Sequence, residues 1–584
     1  MRAPYTALDS SHHEIRLLEL TPGSHDDDLF IELHIASLDQ KLPEYYALSY
    51  AWGQGVSPRM AFIGGEPRQI GNNLDCALRH IRCGLNNPIL VWVDALCINQ
   101  QDLEERSSQV LLMKDIYSSA ERVLIWLGSE QQGDAYAVAC IRNNEVSGPV
   151  EHLLGLIRSV ESICRRPWFG RVWVAQELAL SQRDPVIYIG TTTVPWSQFD
   201  QYIRQLEKRL PPSLDTHLSM FALMQATGPV TRLGRVRAFR TTSLNLQIYR
   251  SAASLATDSR DKVYGLLGLC VFTPSQPSIT PDYTNSTQRV FSEATISMLQ
   301  EGENLPYDLL PLRHPRNIPA ESPYQPLADL PTWALDLNIS SQAPAAYGQN
   351  NPYWFLPSRA IHPGPLLKDT CHIPGRVTAS HASRRLHTQG AHLGIIIATS
   401  VAKPDPERPN YHARAAALRA FYDVHLKPRE ISAHALLQAL TIDGKTPVRD
   451  SRLKGQLPHL FEQLVTSQTH IENPSPYHDV LMALSGHEEC YVFVTDTDQV
   501  GIAYHPDVEG GIRVGDEVIG LFGINFPFVL RSVSGGLDND PAYTMINIAH
   551  IADHQWGHRF LKPADANARW SDFRENGLQE YTIV

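Results

Sequence analysis

The chain has 584 residues, too many for one ordinary hydrophobic core, so two or three domains are expected. Hydrophobic residues make up 43% and charged residues 19%, which is a globular composition and excludes wholesale disorder. A net charge of -12 with scattered basic residues excludes a general nucleic-acid binder, and leaves only a basic patch assembled in three dimensions.

Residues 1–13 read as a mixed, polar leader without a signal-peptide pattern. EIRLLEL (14–20) and LFIELHIASL (29–38) read as two strands joined by a turn-rich segment. YYALSYAWG (45–53) alternates, with Tyr46, Leu48, Tyr50 and Trp52 on an aromatic face and Ala47, Ser49 and Ala51 on a small one. RMAFIGGEPRQI (59–70) predicts a hairpin turning at Gly64-Gly65. A helix capped by Asn72 or Asn73 follows, through Cys83.

PILVWVDAL (88–96) predicts a buried strand that delivers Asp94 to a rim. The helix from about 102 to 118 places Val110, Met113, Tyr117 and Ala120 on one stripe, with Glu104, Glu105, Arg106 and Lys114 facing water. RVLIWLG (122–128) is a second buried strand, so the three elements predict a parallel βαβ unit. Helices are expected at 135–144, 153–166, 168–180 and 196–210, with a strand at 186–190. These elements make residues 14–210 an α/β domain with a mostly parallel sheet flanked by helices.

Residues 211–302 read as helical, with Asp258-Ser259-Arg260-Asp261 as a helix-start box. Residues 303–410 are Pro-rich and read as irregular, with LPTWALDL (330–337) as an ordered island. Helices return over 411–470, a small β-rich unit over 485–555, and 556–584 reads as a tail.

The eight cysteines are widely spaced and form no zinc pattern, which fits reduced thiols; no metal ligand set is expected. No apolar run reaches about 18 residues, so no membrane span is expected. Phosphate-loop, zinc-protease and nucleophile-elbow motifs are absent. Cys97 reads as a buried structural thiol, with no cation beside it in sequence. Asp94 reads either as a ligand residue at a strand end or as a cap. Glu177, in W-V-A-Q-E-L, reads either as an acid meeting a helix macrodipole or as a ligand-facing carboxylate. Trp168, Trp173, Arg166 and Arg171 crowd the same stretch, and aromatic walls with cations suit a nucleotide or sugar.

Three blocks, YYALSYAWG (45–53), VWVDALCINQQDLEERSSQVLLMKDIYSSAERVLIWLG (91–128) and RPWFGRVWVAQEL (166–178), resemble in order those of the fungal heterokaryon incompatibility (HET) domain. DSRDKVYGLLGL (258–269), ITPDYTNSTQRVF (279–291), LPTWALDL and VGDEVIGLFGINFPFVLR (514–531) are similar to segments that recur in full-length members. The resemblance implies a cytoplasmic fungal protein of nonself recognition and programmed cell death, acting by self-association or with a protein partner, or else a regulatory or accessory protein that retains the domain without its activity. A fainter resemblance links W-V-A-Q-E-L to the plant TIR pattern S-x-W-C-x-x-E-L, where the glutamate supports cleavage of the NAD glycosidic bond. It implies Glu177 as a catalytic carboxylate, Trp173 as the matching tryptophan, and NAD as a substrate, with no resident cofactor; Trp52, Asp94, Arg171 and Trp173 are the candidate ligand-binding residues. The sequence departs from that pattern in Val174, which replaces the Cys, and in Arg171; the TIR loop ahead of the first helix has no match.

Overall fold

In the computed structural model, residues 5–210, 217–240, 242–272, 279–300, 327–338, 378–380, 385–401, 411–441, 456–466, 490–504, 511–521, 527–533, 541–552 and 578–584 are described. The chain divides into two units, residues 1–272 with 278–287 and residues 273–277 with 288–584.

The alternating segments of the first unit become the strands β1 Glu14–Leu20, β2 Leu29–Ser37, β3 Tyr45–Tyr50, β4 Val56–Ile63, β5 Glu66–Gly71, β6 Ile89–Trp92, β7 Arg122–Trp126, β8 Val186–Ile189 and β9 Thr192–Pro195. Its helices are α1 Asn72–Arg82, α2 Asp94–Cys97, α3 Leu103–Ser119, α4 Asp134–Asn143, α5 Val150–Cys164, α6 Val174–Leu180, α7 Trp196–Arg209, α8 His217–Ala238, α9 Leu244–Ser251 and α10 Asp261–Tyr264. The strands form one sheet in the order β5-β4-β2-β1-β6-β3-β7-β8-β9. The β4–β5 hairpin turns at Gly64 (φ 57°) and Gly65 (φ 80°), left-handed values that glycine adopts without strain.

The core β6-β3-β7-β8 is parallel throughout. β6 and β7 are therefore parallel, as the buried runs predict, but they are not neighbours. β3 lies between them, because its own apolar residues are buried on both faces. The chain leaves β3 for β6 on one side and then crosses to β7 on the other. That reversal makes the carboxyl end of β3 a topological switch point, the place where open α/β sheets bind ligands.

α1 buries Leu74, Ala77, Leu78 and Ile81 against Leu48, Tyr50, Leu124 and Trp126. Gly71 occupies its N-cap position without a side-chain bond, so neither asparagine caps it. Asn73 instead donates to the Ala51 carbonyl at 2.6 Å and accepts from the Trp126 indole at 2.9 Å, tying β3 to β7. On the opposite face, the Tyr117 ring of α3 meets Trp92 edge-on at 5.5 Å. Asp102 caps α3 through the amides of Glu104 and Glu105. Glu105 does not face water: it pairs with the buried Arg16 at 2.6 Å, because β1 brings an otherwise unneutralised guanidinium beneath α3.

The expected helix over 168–180 is shorter. Residues 167–170 form a 3-10 turn, Arg171 is extended, and α6 begins at Val174. Arg171 is drawn out because it bridges Leu255, with the Val172 amide donating to the Leu255 carbonyl at 2.9 Å.

The second unit contains a helix at Thr287–Gln300 and the strands β10 Thr378–Ser380, β11 Arg385–Val401, β12 Cys490–Thr495, β13 Val500–Tyr504, β14 Glu517–Leu521, β15 Pro527–Val533, β16 Ala542–Ile551 and β17 Leu578–Ile583. β10 and β11 fall in the stretch read as irregular, and β17 in the stretch read as a tail. β11 pairs with β12 through its last residues, 396–401, and with β14 through its middle, 390–395, so β11-β12-β13-β16-β15-β14 close into a ring. Bulges at 392/394 and 396/398 bend β11 to make this possible. Pro527 opens β15, where a missing amide is tolerated. Helices at Tyr411–Phe421, Ala433–Thr441 and Leu457–Thr466 cover one face of the ring through Leu418, Phe421, Leu436, Phe461 and Leu464.

Candidate functional site

The site grows from the ends of β3 and β6 and from α6. Ser49, on the small-residue face of β3, is 1% exposed. Its hydroxyl accepts the Trp168 indole N–H at 2.7 Å and donates to the Glu177 carboxylate. Glu177, in the first turn of α6, is 2% exposed. Its backbone amide bonds to the Trp173 carbonyl at 3.1 Å, so the α6 turn fixes the carboxylate against the sheet.

Asp94 follows β6 directly and begins α2. One carboxylate oxygen accepts its own-turn Ala95 amide at 2.7 Å, and the other accepts the Trp52 indole N–H at 2.8 Å. The Tyr50 hydroxyl lies near it. Asp94 is thus both a local cap and a rim residue. Trp52 is not part of the buried aromatic face. β3 ends at Tyr50, the chain turns through Gly53 (φ 71°), and Trp52 is left 47% exposed. Arg171 donates to the Tyr50 carbonyl from its extended segment.

The charge of this one guanidinium acts on both acids, although its hydrogen bond goes to the Tyr50 carbonyl. Burial raises the Glu177 carboxyl to about 7, although Arg171 and the Ser49 hydroxyl pull it down; Asp94 pushes it further up. Burial also raises Asp94, against Arg171 and the Trp52 and Ala95 bonds. Burial would lower Arg171, but Glu177 and Asp94 outweigh it and hold the guanidinium above its ordinary value. A carboxyl that titrates near neutrality can hold or release a proton at physiological pH.

The structure brings Glu177, Arg171, Asp94 and Trp52 to one place. Trp173 lies apart from them. Its indole lies beside Asp261, which accepts the Tyr283 hydroxyl at 2.7 Å, and its ring packs at Gly265. Ser49 and Tyr50 join the cluster without having been singled out as site residues, and Trp168, read as one of its aromatic walls, joins it through the bond to Ser49. The only signal for Ser49 is a hydroxyl on an otherwise apolar small-residue face. Arg166 also leaves the cluster, pairing with Asp134 of α4. Burial pushes the Cys97 thiol up to about 12, which keeps it protonated.

Among the described residues, no group of three or more His, Cys, Asp or Glu is placed to hold a metal ion. Among them, no helix is long and apolar enough to cross a membrane.

Comparison with known proteins places this cluster within a matched region. The family model described as Heterokaryon incompatibility protein (HET) matches residues 45–177, from the first residue of β3 to Glu177. The chain is similar to "Heterokaryon incompatibility protein 6, OR allele" of Neurospora crassa, 29% identical over 404 residues. The aligned part covers 57% of this chain and 59% of the relative, so the chain spans about three fifths of that relative's length. No solved structure matches.

Proposed function

We propose that this chain, which carries a heterokaryon incompatibility domain over residues 45–177, acts in fungal nonself recognition and triggers programmed cell death. The domain acts in the cytoplasm by assembling with itself or with an incompatible protein partner. The observation that carries the reading is the coincidence of the matched span with the elements that build the Glu177–Arg171–Asp94 cluster. The similarity to a relative named as an incompatibility protein supports it. The test is induced expression in a filamentous fungal host, alone and after fusion with strains of different genotype. Growth arrest and dye uptake by the cells are expected in at least one combination. Full viability in every combination overturns the reading.

A second reading is favoured by the carboxyl of Glu177, which titrates near neutrality at the switch point of the sheet. In it the domain hydrolyses NAD: water adds to the ribose anomeric carbon, and nicotinamide departs with the electrons of the broken bond. Glu177 stabilises the oxocarbenium-like state through the ribose hydroxyls, while Arg171 and the exposed Trp52 hold the dinucleotide. Because Glu177 is 2% exposed, substrate entry goes with opening of the Trp52–Asp94 rim. Nicotinamide release by the full chain, lost in Glu177→Ala, is the expected result. No release at high protein concentration overturns this second reading.

A further inference from the structure

Between Asp215 and Asp258 the sequence has no acidic residue and five arginines, at 232, 235, 237, 240 and 250. α8, α9 and α10 fold this stretch onto itself within the first unit. Lys262, from α10, is only 6% exposed. Its amine donates to the Ser254 carbonyl, and Arg232 of α8 donates to the Phe169 carbonyl at 3.2 Å. Those two carbonyls are neighbours, because the adjacent Leu255 amide bonds the Gly170 carbonyl at 2.5 Å. Two cations therefore converge on one small region.

Among the described residues, no carboxylate pairs with either. The nearby acids are committed elsewhere: Asp200 to Arg204, Asp258 to Arg260, and Asp261 to Tyr283. On α9, Arg250 carries a buried guanidinium nitrogen without a partner. Neutral carbonyls satisfy hydrogen-bond geometry but do not cancel charge, and an unpaired buried cation is costly. Burial lowers Arg232 to about 10 and Lys262 to about 8, with Arg232 adding to the second shift.

We propose that Arg232 and Lys262 form a binding site for a phosphoryl group, carried by free phosphate, pyrophosphate or a nucleotide. An Arg fork beside a Lys ammonium is the donor set that phosphate oxygens match, with the bidentate geometry coming from the arginine. The site is built on α8 and α10, distinct from Glu177, and stands whether or not the domain hydrolyses NAD.

The experiment uses the full chain. Calorimetry and thermal unfolding are run with inorganic phosphate, pyrophosphate and ADP, each against sodium chloride at matched ionic strength. Pyrophosphate at saturation is expected to raise the first unfolding temperature by about 2–4 °C, and chloride to leave it unchanged. Arg232→Met and Lys262→Met are each expected to weaken binding by about tenfold or more, and Lys262→Arg to retain it. Tighter binding of ADP than of pyrophosphate assigns the site to a nucleotide, and equal binding to a free phosphate. Chloride producing the same shift, or both Met variants binding as tightly as the parent chain, overturns the proposal. If Lys262→Met does not fold, Arg232→Met carries the decision.

Discussion

Replacing Glu177 by glutamine should remove a pH dependence of stability that the wild-type chain carries. The folded-state carboxyl titrates at about 7, raised from an ordinary 4.5 by burial. Between those values the native state holds a proton that the unfolded state has lost, so stability falls as pH rises through this window. With each unit worth about 1.4 kcal/mol, the full effect is about 3 kcal/mol, complete above about pH 8. Glutamine keeps an acceptor for the Ser49 hydroxyl and cannot ionise. Asp94 is raised for the same reason and acts in the same direction, so some slope remains in the variant. The assay is urea unfolding of both chains from pH 5 to pH 8.5, followed by tryptophan fluorescence; Trp168, bonded to Ser49, reports on the cluster. The wild-type midpoint should drop with pH more steeply than that of Glu177→Gln. Parallel curves, or a wild-type midpoint that rises relative to the variant, refute the assignment of a neutral buried carboxyl.

Trp52→Ala should cost less than about 1 kcal/mol, since the side chain is 47% exposed, whereas Trp168→Ala should cost about 3–5 kcal/mol; unfolding curves compare them. Glu105→Gln should destabilise by about 3–5 kcal/mol by stranding the buried Arg16 guanidinium, and a loss under about 0.5 kcal/mol would contradict the pairing. Gly265→Ala places a Cβ 2.9 Å from the Asp261 carbonyl and 3.2 Å from the Trp173 ring, so it should cost about 1–3 kcal/mol and shift tryptophan emission.

Local periodicity carried much of the first unit. The strands at 14–20 and 186–189, the stripe of α3 and the Gly64-Gly65 hairpin all depend on neighbours in sequence. The insertion of β3 between β6 and β7 depends on pairing across more than 70 residues, for which one sequence holds no local signal. Trp52 was misplaced because alternation says nothing about where a strand stops. β11 escaped because RLHTQGAHLG mixes histidine, glycine and polar residues; its strand character comes from pairing with β10, β12, β14 and β17. At the site, Trp-x-x-x-Glu spacing singled out Glu177, and strand-end reasoning singled out Asp94. The same spacing also suggested Trp173, whose ring packs at Gly265 and beside Asp261 instead. Ser49 became visible only when α6 was seen folded under β3.

The most direct test of the HET-domain account replaces Arg171, whose charge acts on both Glu177 and Asp94. Wild-type chain and Arg171→Met are induced to equal levels in the filamentous fungal host, alone and after fusion with strains of different genotype, and surviving colonies are counted. The account predicts loss of viability with the wild type and survival with Arg171→Met. Equal killing by the two, with the variant folded and as abundant, contradicts a role for the cluster in cell death.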